Sequence, residues 1–301
     1  MSDETPPTKS RSFESQATKR VSFVLTTRNK ARFIDEALRR AIALVGGNDE
    51  LIVIDGASTD GTAEIVASYG DQIDVFISEP DASCDHAINK GMLVAKGEYF
   101  KHLTDDDEFG PNAMEQAISV LQANPDVDLL VCGGMRQAAD HIYPFYVTPD
   151  VNYGTSPENV FKYGTCGVGF LIRRSSLPLM GLANSTGVAT DAEFVAKAIY
   201  RGARVKFCRI NLFHHPIYEH SAIMAQRSAL EQDMNRIARQ YCSRWFYLKY
   251  LVKTSLLRNR ILGTPAIAGR NIVLAALARL GNKRAQIKLH PQEPIWDGGI
   301  S

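Results

Sequence analysis

Between Val21 and Cys132 the chain alternates short β-rich runs with segments of helical period, joined by brief connections. This rhythm restricts the fold more than any other feature of the sequence. The runs are Val21–Thr26 (VSFVLT), Leu51–Asp55 (LIVID), Ile73–Ser78 (IDVFIS), Glu98–Leu103 (EYFKHL) and Val127–Cys132 (VDLLVC). Strands this apolar are buried on both faces, as in a parallel sheet covered by helices. Between them the spacing predicts helices over 30–44, 58–67, 84–95 and 111–123. In the first of these Phe33, Ile34, Ala37, Leu38, Ala41 and Ile42 recur at helical intervals, and Pro111 opens the last at the favoured first position. After Gly133 the rhythm breaks. Residues 134–175 read as mixed strands and loops, followed by a helix at 191–200, a strand at 204–210 and a mainly helical tail from Ser221. The expected organisation is a disordered segment at 1–20, one α/β domain at 21–220 divided into halves at 21–133 and 134–220, and a basic helical region at 221–301.

Charge is even in total and uneven in place. Lys and Arg number 34 against 33 Asp and Glu, so bulk charge nominates no nucleic-acid partner. From Met234 to Gln292 there are no acids and twelve bases, which leaves the remainder at −11. An acidic body with a basic tail is electrostatically a two-part molecule. The five cysteines (Cys84, Cys132, Cys166, Cys208, Cys242) never stand in CxxC spacing, which argues against a disulfide framework or a structural zinc site. The first twenty residues have no apolar core of a secretory signal, and the most apolar later stretch, 261–278, carries Arg270 at its middle. A cytoplasmic protein without a spanning helix is expected.

In an open α/β sheet, ligands gather at the carboxyl ends of the strands. Here those ends are polar: Thr26-Thr27-Arg28-Asn29, then Asp55-Gly56-Ala57-Ser58-Thr59-Asp60, then Glu79-Pro80-Asp81-Ala82-Ser83-Cys84-Asp85, then Thr104-Asp105-Asp106-Asp107-Glu108. Neither GxGxxG nor GxxxxGK[ST] occurs, so the two common phosphate-cradling loops are absent. The run of acids after strand four offers another means. Adjacent carboxylates repel, and a hard divalent cation, Mg²⁺ or Mn²⁺, takes oxygens from one or two of them together with substrate phosphates. A solvated acidic loop would read the same way.

Four stretches, Thr26–Asn29, Val53–Thr62 (VIDGASTDGT), Ser78–Gly91 (SEPDASCDHAINKG) and Gly97–Asp107 (GEYFKHLTDDD), stand in an order that resembles the nucleotide-sugar half of family 2 glycosyltransferases. The resemblance covers about residues 20–215 and implies the Rossmann-like GT-A fold, a mixed, mostly parallel sheet flanked by helices. It implies inverting transfer of a sugar from a nucleoside diphosphate, a UDP-sugar first among the candidates, to a glycan or lipid-linked acceptor. Carried onto this chain, it makes Thr26, Arg28, Asp55, Asp85, Lys90 and Asp105 candidate donor-binding residues. Thr26 and Asp55 match base and ribose positions, although Gly56 stands where the family often has a second Asp. Asp105 and Asp106 match the DxD-type metal pair, with Thr104 in its first acidic place, so Asp106 becomes the main ligand. His215, after the strand at 204–210, matches a position that completes the metal shell in some relatives. Asp191, opening a helix in Thr190-Asp191-Ala192-Glu193, matches the general base. The glycine-bearing Tyr163–Phe170 falls beside the expected acceptor.

The tail admits two readings. Lys249, Lys253 and Arg260 recur at +4 and +7 on a helix bearing Trp245, Phe246 and Tyr250, which suits an anionic membrane surface. On that reading, residues 234–292 make the protein peripheral on the inner face of the cell membrane. On the other, these bases pack on the acidic body. Rivals for the whole chain are a non-catalytic nucleotide-sugar-binding scaffold of the same fold and a polyprenyl-phosphate sugar synthase.

Overall fold

The computed structural model describes residues 19–137, 142–145, 151–154, 156–184, 186–216 and 227–261. The first half runs β1 (Lys19–Thr27), α1 (Ile34–Leu44), β2 (Glu50–Asp55), α2 (Thr62–Ser68), β3 (Val75–Ser78), α3 (Cys84–Val94), β4 (Gly97–Leu103), β5 (Glu108–Phe109) and α4 (Pro111–Ala123). The second runs β6 (Leu129–Gln137), β7 (Ile142–Phe145), β8 (Val151–Gly154), α5 (Asn159–Tyr163), β9 (Phe170–Arg173), α6 (Leu177–Met180), α7 (Thr190–Tyr200), β10 (Val205–Pro216), α8 (Arg227–Tyr241) and α9 (Arg244–Ile261).

The strands form one mixed sheet in the order β3-β2-β1-β4-β9-β6-β10-β5, with β7 on β6 and β8 on β10. β1 pairs in parallel with β2 and β4, and β2 with β3. The fifth strand read from the sequence, β6, does not continue that ladder. β9 inserts antiparallel between β4 and β6, so Phe100 and Leu129 both pair with Ile172. β6 also runs unbroken through Gly133, where the sequence rhythm had suggested a boundary.

Two apolar layers sandwich the sheet. On one side Phe23 and Leu25 pack with Ile34, Leu38 and Ala41 of α1 and with Met114, Ile118 and Leu121 of α4. On the other, Val24, Ile52 and Ile54 pack with Ala87 and Met92 of α3, Phe194 and Val195 of α7 and Ile237 of α8. Every residue of β2 is buried, as strands covered on both faces require. Each large apolar side chain so enclosed stabilises the fold by roughly 1.5–3 kcal/mol.

Local chemistry sets the element ends. β1 starts at Lys19, inside the segment expected to be disordered, because the Arg20 guanidinium grips the buried Asp49 at 2.8 and 2.9 Å and Arg20 N–H donates to the Asn48 carbonyl at 2.7 Å. Residues 1–18 lie outside the described residues. α1 starts at Ile34 rather than Lys30, since Lys30 N–H donates to Thr62 Oγ1 (2.8 Å) and Ala31 N–H to Asp60 Oδ2 (3.0 Å). Those bonds, with Asn29 N–H to Ser58 Oγ at 2.8 Å, stitch the loops after β1 and β2 together. Ser83, not Asp85, caps α3 by accepting the His86 N–H at 3.2 Å, which leaves Asp85 for other partners.

The compact unit ends at Leu248 and a second begins at Lys249. Within the first, α8 belongs to the body. Its Ile237 and Ala238 are fully buried, and Arg236 holds Glu193 at 2.6 and 2.7 Å. In the second, residues 249–261 continue as helix, and the bases from Arg270 to Lys288 lie outside the described residues. Among the described residues no helix is long and apolar enough to cross a membrane.

α3, which carries Asp85, lies on β1 through Gly91, where an added Cβ would sit 2.3 Å from Val24 Cγ1. Gly91→Ala should therefore destabilise the fold, an overpacking cost of about 1–3 kcal/mol outweighing the helix-propensity gain of roughly 1 kcal/mol. Urea unfolding should show that loss, and Val24→Ala in the same chain should restore part of it.

Candidate functional site

Because β1 to β4 run in parallel, Thr26, Thr27, Asp55, Ser78 and Leu103 all arrive at one edge of the sheet. What lies there divides into an acidic loop, a pair of organised connections and a cleft.

The acidic loop follows β4. Asp105 accepts from Thr27 Oγ1 at 3.2 Å and pairs with Lys30 Nζ at 3.3 Å. Burial pushes its carboxyl above the usual range, while Lys30 pulls it back. Asp107 is buried, accepts from Thr104 Oγ1 and meets His215 Nδ1 at 2.5 Å. The short strand β5 makes that meeting possible by pairing Glu108 with His214 and Phe109 with Phe213 on β10. Asp106 is half-buried and makes no hydrogen bond or ion pair among the described residues. Nor, among those residues, are three or more His, Cys, Asp or Glu arranged to hold a metal ion by themselves.

The connections after β2 and β3 are held from within. The carboxylate of Asp55 has no exposure and accepts from Ser58 N–H (3.0 Å), Ser78 Oγ (2.6 Å) and Ser58 Oγ. It thus shapes the 55–58 turn, in which Ala57 adopts a left-handed φ of 55°. Arg28 is exposed, and its stem lies over Gly56, where an added Cβ would stand 3.0 Å from Arg28 Cδ and 3.2 Å from Asp81 Oδ2. The glycine that departs from the family pattern is thus closed in by its neighbours. Lys90 reaches Asp81 at 2.6 Å, Glu79 at 3.0 Å and the Pro80 carbonyl at 3.0 Å, bracing the loop before α3.

The cleft is open to solvent and has a cavity volume of about 30 Å³. Its floor is apolar, built from Ile88, Met92, Phe100, Phe170, Ile172 and Phe194, and its polar groups are Asp85, His102, Thr190 and Asp191. Asp85 stands in the first turn of α3 and Asp191 in the first turn of α7. Burial and the charge of Asp191 push the Asp85 carboxyl up to about 6. Burial also raises the Asp191 carboxyl, against which the Gly167 N–H, donating to Oδ2 at 2.8 Å, lowers it. An added Cβ at Gly167 would lie 2.5 Å from Asp191 Oδ1, so only glycine permits this approach. His102, pushed down to about 3 by burial and by Lys101, is neutral, and its Nε2 hydrogen-bonds Thr26 Oγ1 at 2.9 Å. Burial lifts the Cys84 thiol to about 11, and the negative charges of Asp85, Asp191 and Asp105 all add to that rise. A thiol raised in this way is a poor nucleophile even though Cys84 is exposed, and it lies within the field of those three carboxylates.

The structure therefore brings Asp85 and Asp191 to one cleft, with Thr26 behind its His102, and Asp105, Asp106 and His215 to the neighbouring loop system. It turns Asp55 and Lys90 toward partners within the protein. Three residues escaped the sequence reading: His102, Lys101 and Asp107. The first two could have been found as adjacent polar residues in the middle of a strand that is otherwise core.

Residues 22–177 match the family model described as glycosyl transferase family 2. An uncharacterized glycosyltransferase of Rickettsia typhi is 36% identical over 134 residues, 44% of this chain and 42% of that protein. One from Rickettsia conorii is 37% identical over 116 residues, 38% of this chain and 19% of its own. The matches thus span less than half the length of these curated relatives. Among solved structures, S. aureus TarS 1–349 in complex with UDP-GlcNAc superposes with a TM-score of 0.59 at 17% identity, covering 73% of this chain and 65% of that one. The mannosyltransferase PcManGT from Pyrobaculum calidifontis, in complex with GDP-Man and Mn²⁺, gives 0.58 at 19% identity over 86% of this chain and 80% of its own. At these identities the likeness bears on the fold, which is GT-A.

The raised Asp85 carboxyl has a sign that can be checked. The folded chain keeps that proton up to about pH 6 while the unfolded chain releases it near 3.8, so ionised Asp85 weakens the fold above that window. Asp85→Asn should raise the melting temperature at pH 8, and the gain should vanish toward pH 4. Differential scanning calorimetry reads both, and a gain independent of pH would contradict the assignment.

Proposed function

The chain belongs to glycosyl transferase family 2, and we propose that it is a glycosyltransferase that moves a sugar from a nucleoside diphosphate to an acceptor hydroxyl with inversion at the anomeric carbon. The observation that carries this reading is Asp191: a carboxylate in a largely apolar cleft, raised by burial and held by one backbone N–H. A general base works best with a pKa near the operating pH, and burial moves an aspartate that way. Asp191 accepts the proton of the acceptor hydroxyl as that oxygen attacks the anomeric carbon. The diphosphate departs from the opposite face. The neutral imidazole of His102 and the Thr190 hydroxyl offer hydrogen bonds to sugar hydroxyls without adding charge.

For the donor, the exposed Arg28 and half-exposed Lys30 supply positive charge at the end of β1. Thr26, Asp55, Asp85, Lys90 and Asp105 line or brace the surrounding loops. That the neighbouring structures hold UDP-GlcNAc and GDP-Man supports a nucleotide-sugar donor, with a UDP-sugar the first to test.

The residues present suit a divalent ion. Asp106 has a carboxylate not engaged by any of the described residues, and Asp105 lies beside it. His215 gives its Nδ1 to Asp107 and leaves Nε2 for coordination, the carboxylate–imidazole arrangement common behind metal ligands. With no cluster of three such side chains among the described residues, the ion, Mg²⁺ or Mn²⁺, would complete its shell from the donor's phosphates. Bound there, it would offset charge gathering on the departing diphosphate. We assign donor binding to 21–133 and acceptor binding, to a glycan or lipid-linked hydroxyl, to 134–220.

A peripheral site on the inner face of the membrane goes with this reading through 234–292. In the first unit Trp245 (53% exposed) and Leu248 (46%) are exposed apolar residues, and in the second Lys249 and Lys253 are exposed bases. Since α8 belongs to the core, the test keeps the chain whole. Lys249→Glu with Lys253→Glu should weaken flotation with phosphatidylglycerol vesicles, and equal flotation would remove the membrane contact.

Calorimetry and transfer assays over a panel of UDP-, GDP- and dTDP-sugars, with and without Mn²⁺, test the activity. Asp191→Asn should bind donor normally and lose transfer by about 10²–10⁴-fold, the usual worth of a positioned base. Asp106→Ala should abolish the metal-dependent part of donor binding. Undiminished transfer by the Asn variant would sink the base assignment, and donor binding without turnover would point to a scaffold.

A further inference from the structure

Lys101 occupies a core position of β4, between Tyr99 and Leu103 on the same face, and has no exposed surface. An ammonium buried away from any carboxylate hydrogen bond is costly, and Met or Leu would fill the space more favourably. Asp107 and the Cys132 and Cys166 thiols lie within electrostatic reach of it, and two direct contacts show where it acts. Nζ donates to the Val168 carbonyl, and the Phe109 ring lies 4.5 Å from it. Val168 is the middle residue of the short turn Gly167–Gly169. The residue before Val168 donates its N–H to Asp191 Oδ2 at 2.8 Å, and the residue after it would place a Cβ 2.4 Å from the Cys132 carbonyl oxygen. The turn is thus walled by Asp191 on one side of the sheet and by β6 on the other, with Lys101 fastening its middle carbonyl.

We propose that Lys101 is a positioning residue for the transfer reaction: by holding the Val168 carbonyl it aims the Gly167 N–H at Asp191, and so sets the orientation and proton affinity of the base. This rests on the reading of Asp191 as that base. The bond is available whether Lys101 carries two protons or three, since either form donates. Burial lowers its affinity for the third to about 7, in keeping with a site built around a donor rather than a charge. The same side chain meets Phe109, which closes the acidic loop after β4, so one lysine touches both halves of the reaction site.

The test compares Lys101→Met with the full-length wild type and with Asp191→Asn. Lys101→Met keeps length and removes the donor. It should fold with equal or greater thermal stability and bind the nucleotide-sugar within about twofold of wild type. Its kcat should fall about tenfold, the scale of a small misplacement of a reacting group. The Gly167 N–H lowers the proton affinity of Asp191, so its loss raises that affinity, and the acid limb of the kcat–pH profile should move up by about one unit. Hydrogen exchange at amides 166–169 should quicken in the same variant. An unchanged profile with unchanged exchange would overturn the proposal, as would a lower kcat with the acid limb unmoved, which is what a purely structural lysine would give. If Lys101→Met does not fold, Lys101→Leu, which also lacks a donor, takes its place with the same readouts. Failure of both to fold would make the residue structural and end the proposal. If Asp191→Asn retains transfer, the base assignment falls and this inference with it. If Asp191→Asn is inactive while Lys101→Met behaves as wild type, only the present inference falls.

Discussion

The parallel pairing of β1 with β2 and β4 governs the rest of the molecule. In that register Thr27 lies beside Asp55, and Leu25 beside Leu103, so the loops after three strands leave the same end of the sheet within two residues of one another. Parallel strands buried on both faces can tolerate this only because helices close each side, and Gly91 lets α3 come near enough to do so. Once the loops leave at one end, their polar residues have one place to go. Asp55 turns inward and organises its own loop through Ser58 and Ser78. Asp105 and Asp107 take protein partners, while Asp106 remains available.

Gathering carboxylates is unfavourable, and the structure answers the repulsion differently at each one. Asp105 has Lys30, Asp107 has His215, and Asp191 has a single backbone N–H. Asp85 has the Thr190 hydroxyl and its own backbone N–H, yet burial and the charge of Asp191 still push it up to about 6. Residues tuned in this way, in a cleft whose floor is apolar, are where proton transfer is plausible chemistry. Among the described residues of the basic tail, Arg236 on α8 pairs with Glu193, two residues from Asp191, and Ile237 is buried beside it. To that extent the bases after Met234 serve the body, whatever those beyond Ile261 do.

The fold was largely legible because its signal is local and repeated. LIVID reads as a doubly buried strand and is one, and Ile34, Ala37, Leu38 and Ala41 fall on the buried face of α1 as their spacing requires. The misread ends have non-local causes. Lys19 and Arg20 enter the sheet because Asp49, far along the chain, receives them. α1 starts late because Thr62 and Asp60 capture the preceding amides. The insertion of β9 between β4 and β6 is the largest such case. FLIR is a plausible strand anywhere, and only the vacant ladder edges of its neighbours select its position and direction.

By itself, the sequence determined the α/β alternation, the polar strand ends and the four ordered stretches that identify the family, since these depend on residues close together in the chain. Only the tertiary structure decided which carboxylates are engaged and which are free, that Ser83 rather than Asp85 caps α3, and that Lys101 and His102 have partners on opposite faces of one strand. The physical reason is distance along the chain. Asp107 meets a histidine more than a hundred residues away, and the state of a buried charge follows from neighbours that come together only when the sheet closes.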